Sequence, residues 1–325
     1  MIESMNSLSN ASIGVGFGTA GLGGSCYGVV TWALQFGFRK FDTAEADWWY
    51  DQASVGRALK DYFKPDECEE QGLEISTKIP PWSLTSVDDI RTHAAQSRAE
   101  LVGFCNDTTV PNADHDVDMK IPFPMDVYYI HAPKCWPGWH YRCDDAPPTL
   151  DLRTAWMAME AVVGLDHSAK RIGLSNVYPN DLLDIIRFVE QRVEAGEVHP
   201  PPRKPDVVQA FADPISPSYD LRKLCEQNGI EFVSYSTLGT QHRGSDQNPV
   251  LTSPIVRDIA MKHSRSVAEV VLSWALQNNM SVIPRSSKRH HIEELARLLE
   301  DPKFLDADDL KAIDSMSEAI KDSEL

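Results

Sequence analysis

The sequence predicts a closed (β/α)₈ TIM barrel formed by the whole chain, residues 1–325, on three observations. Short apolar, β-rich runs alternate with longer helical patterns nearly end to end, the signature of repeated βα units around a parallel sheet. Eight such runs can be counted, and most are continuous rather than alternating, as strands covered on both faces are. Three successive runs close on an ionisable residue, Asp42, Lys78 and His131. In a barrel of parallel strands, that end is where catalytic side chains collect.

The first strand is expected in SIGVGFGTA (Ser12–Ala20), where Gly14, Gly16 and Gly18 alternate. Small residues there let the strand pack closely or let a ligand approach. An open doubly wound sheet, the alternative architecture, would instead feed a glycine fingerprint directly into its first helix. Helical patterns over Tyr27–Phe36 and Asp51–Phe63 bracket the second strand, FRKFDTA (Phe38–Ala44). LEISTKI (Leu73–Ile79) is the third strand, followed by a helix over Ser86–Val102. Phe104–Pro124 is polar, acidic and proline-bearing, and is expected to be a flexible surface insertion without function. MDVYYIHA (Met125–Ala132) is the fourth strand, and the loop Pro133–Pro148 after it carries Trp136, Trp139, Tyr141, Cys135 and Cys143. Those aromatics either wall a pocket or anchor the loop.

The remaining strands are KRIGLSNV (Lys170–Val177), DVVQAFA (Asp206–Ala212), EFVSYSTL (Glu231–Leu238) and MSVIPRSS (Met280–Ser287). Helices over Leu150–Val163, Asn180–Ala195, Ser218–Gln227 and Val267–Gln277 separate them, and the tail from Asp306 to Leu325 reads as a helix fraying into an acidic end.

Thirty-one basic against 48 acidic residues give a formal charge of −17, which argues against nucleic acid or an anionic membrane as a partner. MIESMNSLSN lacks the basic patch and apolar run of a secretory signal, and no stretch is apolar enough to span a bilayer. The six cysteines show no two-residue spacing of a zinc or redox motif. The expectation is a soluble cytoplasmic protein with reduced thiols and no metal.

Asp42, Tyr50, Lys78 and His131 form a proton-transfer set. A phenol with a pKa of about 10 can protonate an alkoxide but needs help near neutral pH. A buried Lys78 ammonium is expected to lower that pKa, with Asp42 keeping the lysine charged. His131 would orient a carbonyl. Each residue alone has a structural explanation, and their convergence on adjacent strand ends favours chemistry.

The motifs GVGFGTA, FDTAEA, ISTKIP, DVYYIHAP, RIGLSNVYP, VVQAFADP, VSYSTLG and IPRSSKRHHIEE, in this order across nearly the whole chain, resemble the aldo-keto reductase superfamily. A Trp-Tyr pair in the DTA loop is most similar to fungal members. The resemblance implies carbonyl reduction with NADPH bound across the C-terminal face of the barrel, and Asp42, Tyr50, Lys78 and His131 as the catalytic tetrad. It further implies that Gly18, Thr19 and Asp42 border the cofactor and that Ser175, Asn176 and Gln209 hold the nicotinamide carboxamide. Tyr235 would stack on the ring, and Ser236, Leu238 and Gly239 would cover the diphosphate. Arg285, Ser286, Ser287, Lys288, His291 and Glu294 would bind the adenosine 2′-phosphate and adenine.

Three departures accompany the match. The DTA loop is lengthened, so the usual tyrosine spacing falls on Asp47 rather than Tyr50. Ala20 and Gly21 stand where many members have tryptophan and lysine, and His291 and Leu295 where arginine and asparagine are frequent. The expected partner is a small carbonyl substrate. A non-catalytic, NADPH-binding regulatory subunit is the alternative, and a glycosidase is disfavoured because Asp42 is the one convincing strand-end acid.

Overall fold

The computed structural model describes residues 13–110, 119–136, 139–242 and 247–323. Eight parallel strands run in the order β1 (Phe17–Gly18), β2 (Lys40–Asp42), β3 (Glu74–Ile79), β6 (Met125–Ile130), β7 (Ala169–Ser175), β8 (Val207–Phe211), β9 (Glu231–Tyr235) and β10 (Ser281–Val282). The other two, β4 (Thr108–Val110) and β5 (Met119–Ile121), form a separate antiparallel ribbon. A parallel bridge between Val15 and Val282 joins the first strand region to the last and closes the barrel. This rules out the open doubly wound sheet.

Each of the eight expected runs contains one of these strands, several of them shorter than expected. The last ends at Val282 rather than Ser287 because Pro284 has no N–H for the ladder; its carbonyl instead accepts from Gly18 N at 3.0 Å. Close packing explains Gly18 itself, since a Cβ there would lie 2.8 Å from the Ile283 carbonyl oxygen. Ser12 lies outside the described residues.

Alternation along the strands separates two cores. Tyr128 and Ile130 face outward into the large cluster shared with the surrounding helices, whereas Val127 and Tyr129 face inward with Val207 and Val233. Helices follow the strands where caps start them. Asp51 accepts from Ser54 N before Gln52–Tyr62, Ser86 from Asp89 N before Val87–Val102, and Asp151 from Thr154 N before Leu152–Gly164. Pro254–His263 and Arg289–Glu300 are further helices that the sequence reading did not delimit. The tail forms a helix over Ala307–Ser323.

The insertion is not a plain flexible loop. Its described parts make the β4–β5 ribbon, bury Ile121 and Phe123, and are tied down by a Cys68–Cys105 disulfide. It precedes the start of β6, so it lies at the end of the barrel opposite the strand C-termini. Residues 111–118 lie outside the described residues.

The expectation of reduced thiols is also corrected, because Cys135 and Cys143 form a second disulfide while Cys26 and Cys225 remain buried thiols. Both pairs are created by the fold, across separations of 37 and 8 residues that carry no motif. Among the described residues, no helix is long and apolar enough to cross a membrane.

Candidate active site

Register brings the strand-end residues together. Asp42, last in β2, pairs with Gly18 on one side and Ser76 on the other, and Lys78 on β3 stands opposite Tyr129 on β6. Lys78 and Asp42 both point into the barrel and are almost fully buried. The ammonium donates to Asp42 Oδ1 at 2.6 Å and to the Thr43 carbonyl at 2.8 Å, and Gln209 Nε2 donates to Asp42 Oδ2 at 2.8 Å. A buried carboxylate thus has a partner on each oxygen, as burial of charge demands.

The lengthened loop after β2 sends Asp47 and Tyr50 to different sides. The backbone amides of Trp49 and Tyr50 both donate to the Ala46 carbonyl, at 3.0 and 2.9 Å, curling the chain into a tight turn. Asp47 faces solvent on one side of that turn, where Arg142 donates to it at 3.0 Å. Tyr50 enters the cavity on the other side, its ring centroid 5.9 Å from that of His131 in an edge-on contact. The Lys78 Nζ lies 5.3 Å from the centroid of the Tyr50 ring.

Electrostatics give a different picture from the expected lowering of the phenol. Burial, then the nearby Asp42 charge, raises the Tyr50 pKa well above the ordinary value, and Arg285 offsets this only in part. Lys78 is spent on Asp42 and Thr43, and its own pKa is lowered by burial against the pull of Asp42. His131 is pushed well below its usual range by burial and by Lys78, so its imidazole is neutral. Its Nδ1 is buried without a hydrogen-bond partner. The site therefore holds a protonated phenol beside a neutral imidazole over a buried ion pair.

Above these groups opens a cavity of about 1160 Å³. Asp42, Tyr50 and His131 line it, as do Gly18, Ser175, Asn176, Gln209, Tyr235, Ser236 and Leu238. Asn176 takes the left-handed backbone that asparagine tolerates, φ 56°. Its amide donates to the His131 carbonyl at 2.8 Å, while its Oδ1 accepts from the Tyr235 hydroxyl at 2.6 Å. Arg285, Ser286, Ser287, Lys288 and His291 line the cavity too, at the start of the Arg289–Glu300 helix. Lys288 N donates to Ser286 Oγ at 3.1 Å.

Three expected cofactor residues do not line it. Thr19 is buried behind, donating to the Asp42 carbonyl at 2.9 Å. Gly239 makes a turn at φ 75° against Val250 and Asn248, where any Cβ would clash. Glu294 lies on the helix beyond His291.

Trp136 and Trp139 are pocket wall and anchor at once. Both line the cavity, stacked with centroids 4.2 Å apart, and Trp139 also packs on Trp82 at 5.6 Å and His131 at 5.5 Å. The sequence reading missed Trp48, Trp49 and Thr237, which line the cavity as well. An aromatic pair in a lengthened loop was the one signal for the tryptophans.

Comparison with known proteins gives a consistent result. The family model described as "Aldo/keto reductase family" matches residues 14–318. The glycerol 2-dehydrogenase (NADP(+)) of Hypocrea jecorina is 28% identical, covering 93% of this chain and 88% of that protein. The NAD(P)H-dependent D-xylose reductase of the same fungus is 28% identical, covering 90% and 85%. Among solved structures, the aldose reductase of Giardia lamblia superposes with a TM-score of 0.72 at 23% identity, covering 94% of this chain and 92% of that one. An aldo-keto reductase of Bombyx mori in complex with NADP gives 0.70 at 22% identity, covering 94% and 88%.

Proposed function

The chain belongs to the aldo/keto reductase family, and on that premise we propose that it reduces an aldehyde or ketone to the alcohol with NADPH. The observation that carries the reading is the buried Asp42–Lys78 pair beneath Tyr50 and His131, at the floor of a cavity large enough for a dinucleotide and a substrate together. The named fungal relatives are an NADP(+) dehydrogenase and an NAD(P)H reductase. They leave the regulatory-subunit reading without support.

Bound NADPH supplies a hydride to the carbonyl carbon. Tyr50 gives its phenolic proton to the carbonyl oxygen; burial and the Asp42 charge raise its pKa, so donation depends on stabilising the tyrosinate that forms. Lys78 holds positive charge beside the forming tyrosinate, and Asp42 positions Lys78. His131, neutral and buried, donates a ring N–H to the carbonyl oxygen and orients it. The stacked Trp136 and Trp139 would form an apolar wall beside the substrate.

The cofactor fits the donor set along the cavity. Ser175, Asn176 and Gln209 offer hydroxyl and amide groups to a carboxamide, which has both donors and an acceptor. Tyr235 offers a ring face, and Gly18 and Asp42 line the cavity beneath, with Thr19 buried behind Asp42. Ser236 and Leu238 would lie along the diphosphate, with Gly239 turning the chain behind them. Arg285, Ser286, Ser287, Lys288 and His291, with Glu294 beyond, concentrate cations and hydroxyls in a chain of net charge −17, which suits a 2′-phosphate.

A small carbonyl compound is the only partner this reading requires. A need for reduced nicotinamide favours the cytoplasm as the compartment. The test is loss of NADPH absorbance with the purified chain across aromatic aldehydes, aldoses and ketones. Turnover of at least one class supports the reading, and NADPH binding without turnover of any overturns it.

A further inference from the structure

The Cys135–Cys143 disulfide closes the segment that carries the tryptophan wall of the substrate cavity. Both cysteines pack against the buried cluster of Ala44, Ala46 and Trp82, as Tyr50 and Trp139 do. Within the closed segment, Trp139 meets His131 edge-on and His140 stacks on Trp48 with centroids 4.9 Å apart. The bond therefore shares its packing surface with Tyr50 and with Trp139, the ring that meets His131.

We propose that Cys135 and Cys143 form a thiol–disulfide exchange site for a dithiol reductant at the mouth of the cavity, and that their reduction weakens substrate binding by releasing the Trp136–Trp139 wall. The effect on substrate rests on the carbonyl-reduction reading above.

Access singles out this pair. Cys135 and Cys143 are partly exposed, whereas Cys68 and Cys105 are buried, the first 1% and the second 9% exposed. The two free cysteines cannot compete, because burial pushes the Cys26 and Cys225 thiols up to about 12 and holds them neutral. The pair also matters little to the fold at large. A cross-link over 8 residues restricts the unfolded chain less than one over 37, so its effect is concentrated on the loop it closes.

The chemistry balances with a dithiol alone. One of its thiolates attacks a sulfur of the pair, breaking the S–S bond and forming a mixed disulfide. Its second thiol then displaces the remaining protein sulfur. The two cysteines gain two electrons and two protons and end as thiols, and the dithiol ends as a cyclic disulfide.

The experiment treats the folded full-length chain with graded dithiothreitol, alkylates it and maps labelled cysteines by mass spectrometry. Cys135 and Cys143 are expected to label together, at reductant concentrations that leave Cys68 and Cys105 paired. KM for the carbonyl substrate should then rise several-fold while the NADPH dissociation constant stays within twofold. A double variant, Cys135→Ser with Cys143→Ser, should show the raised KM with no response to dithiothreitol. Co-reduction of both disulfides only on unfolding, or an unchanged KM in the selectively reduced chain, would overturn the proposal. If no carbonyl compound is turned over, the proposed function fails separately. Labelling order and the accompanying change in tryptophan fluorescence then decide the exchange site on their own, and absence of either refutes it.

Discussion

Replacing Lys78 with methionine removes the one charge that the buried Asp42 carboxylate faces at 2.6 Å, while filling nearly the same volume. Breaking one side of a buried ion pair costs about 3–5 kcal/mol, because the remaining charge is left desolvated without its partner. Gln209 still donates to Asp42 Oδ2, and this places the expected loss near the lower end, about 3 kcal/mol. An unfolding entropy of about 2.1 cal/mol/K per residue over the 325-residue chain gives roughly 0.7 kcal/mol/K, so Tm should fall by roughly 4 °C. Adding Asp42→Asn removes the stranded charge and should recover more than half of that loss. Thermal and denaturant melts of wild type, both single variants and the double variant form the cycle that measures it. Turnover should be lost in all three variants while NADPH still binds to Lys78→Met. A single variant that melts within 1 °C of wild type, or a double variant no more stable than the sum of the singles, would refute the coupling.

Arg285→Ala should weaken NADPH binding by on the order of tenfold or more and leave NADH nearly unchanged, consistent with about 1.5–3 kcal/mol for a charge-assisted hydrogen bond. Fluorescence titration of both dinucleotides checks it, and equal losses would remove the 2′-phosphate assignment. Burial raises the pKa of the Tyr50, Tyr128, Tyr129 and Tyr235 phenols, the last to about 12. Unfolded tyrosine titrates near about pH 10, so above that pH the unfolded chain sheds protons that the folded chain keeps. The stability these groups contribute is complete below about pH 10 and is lost as pH rises beyond it; Lys78, with its lowered pKa, acts in the opposite sense below 10.5. Tyrosinate absorbance followed together with circular dichroism should show these phenols titrating only with unfolding. Titration near pH 10 in an intact fold would contradict their burial.

Much of the fold is legible because eight continuous apolar runs must be covered on both faces, and a βα repeat does this with local connections. Their ends are less legible. Strand β10 stops short of Pro284, whose missing N–H is a local signal that the expected run to Ser287 passed over. Asp42, Lys78 and His131 could be read from position alone, each closing an apolar run. Tyr50 could not be read by spacing, since a turn built on the Ala46 carbonyl exchanges the places of Asp47 and Tyr50. The direction of the Tyr50 pKa also escaped, because it depends first on how deeply the fold buries the phenol and then on the Asp42 charge brought near it. Nor could the sequence pair its cysteines, whose spacings carry no motif, or place Arg171 of β7 between Asp126 of β6 and Glu231 of β9 at 2.6 Å each, since those ion pairs join strands distant in the chain.

The central claim is that Tyr50 is the proton donor, and single-turnover reduction by Tyr50→Phe and Asp47→Asn, each preloaded with NADPH, tests it most directly. Tyr50→Phe should bind NADPH as wild type does and lose on the order of 10²-fold or more in rate, the contribution of a positioned general acid. Asp47→Asn should stay within a few-fold of wild type, since Asp47 lies at the surface with Arg142. Wild-type rates in Tyr50→Phe, or a larger loss in Asp47→Asn than in Tyr50→Phe, would contradict the assignment.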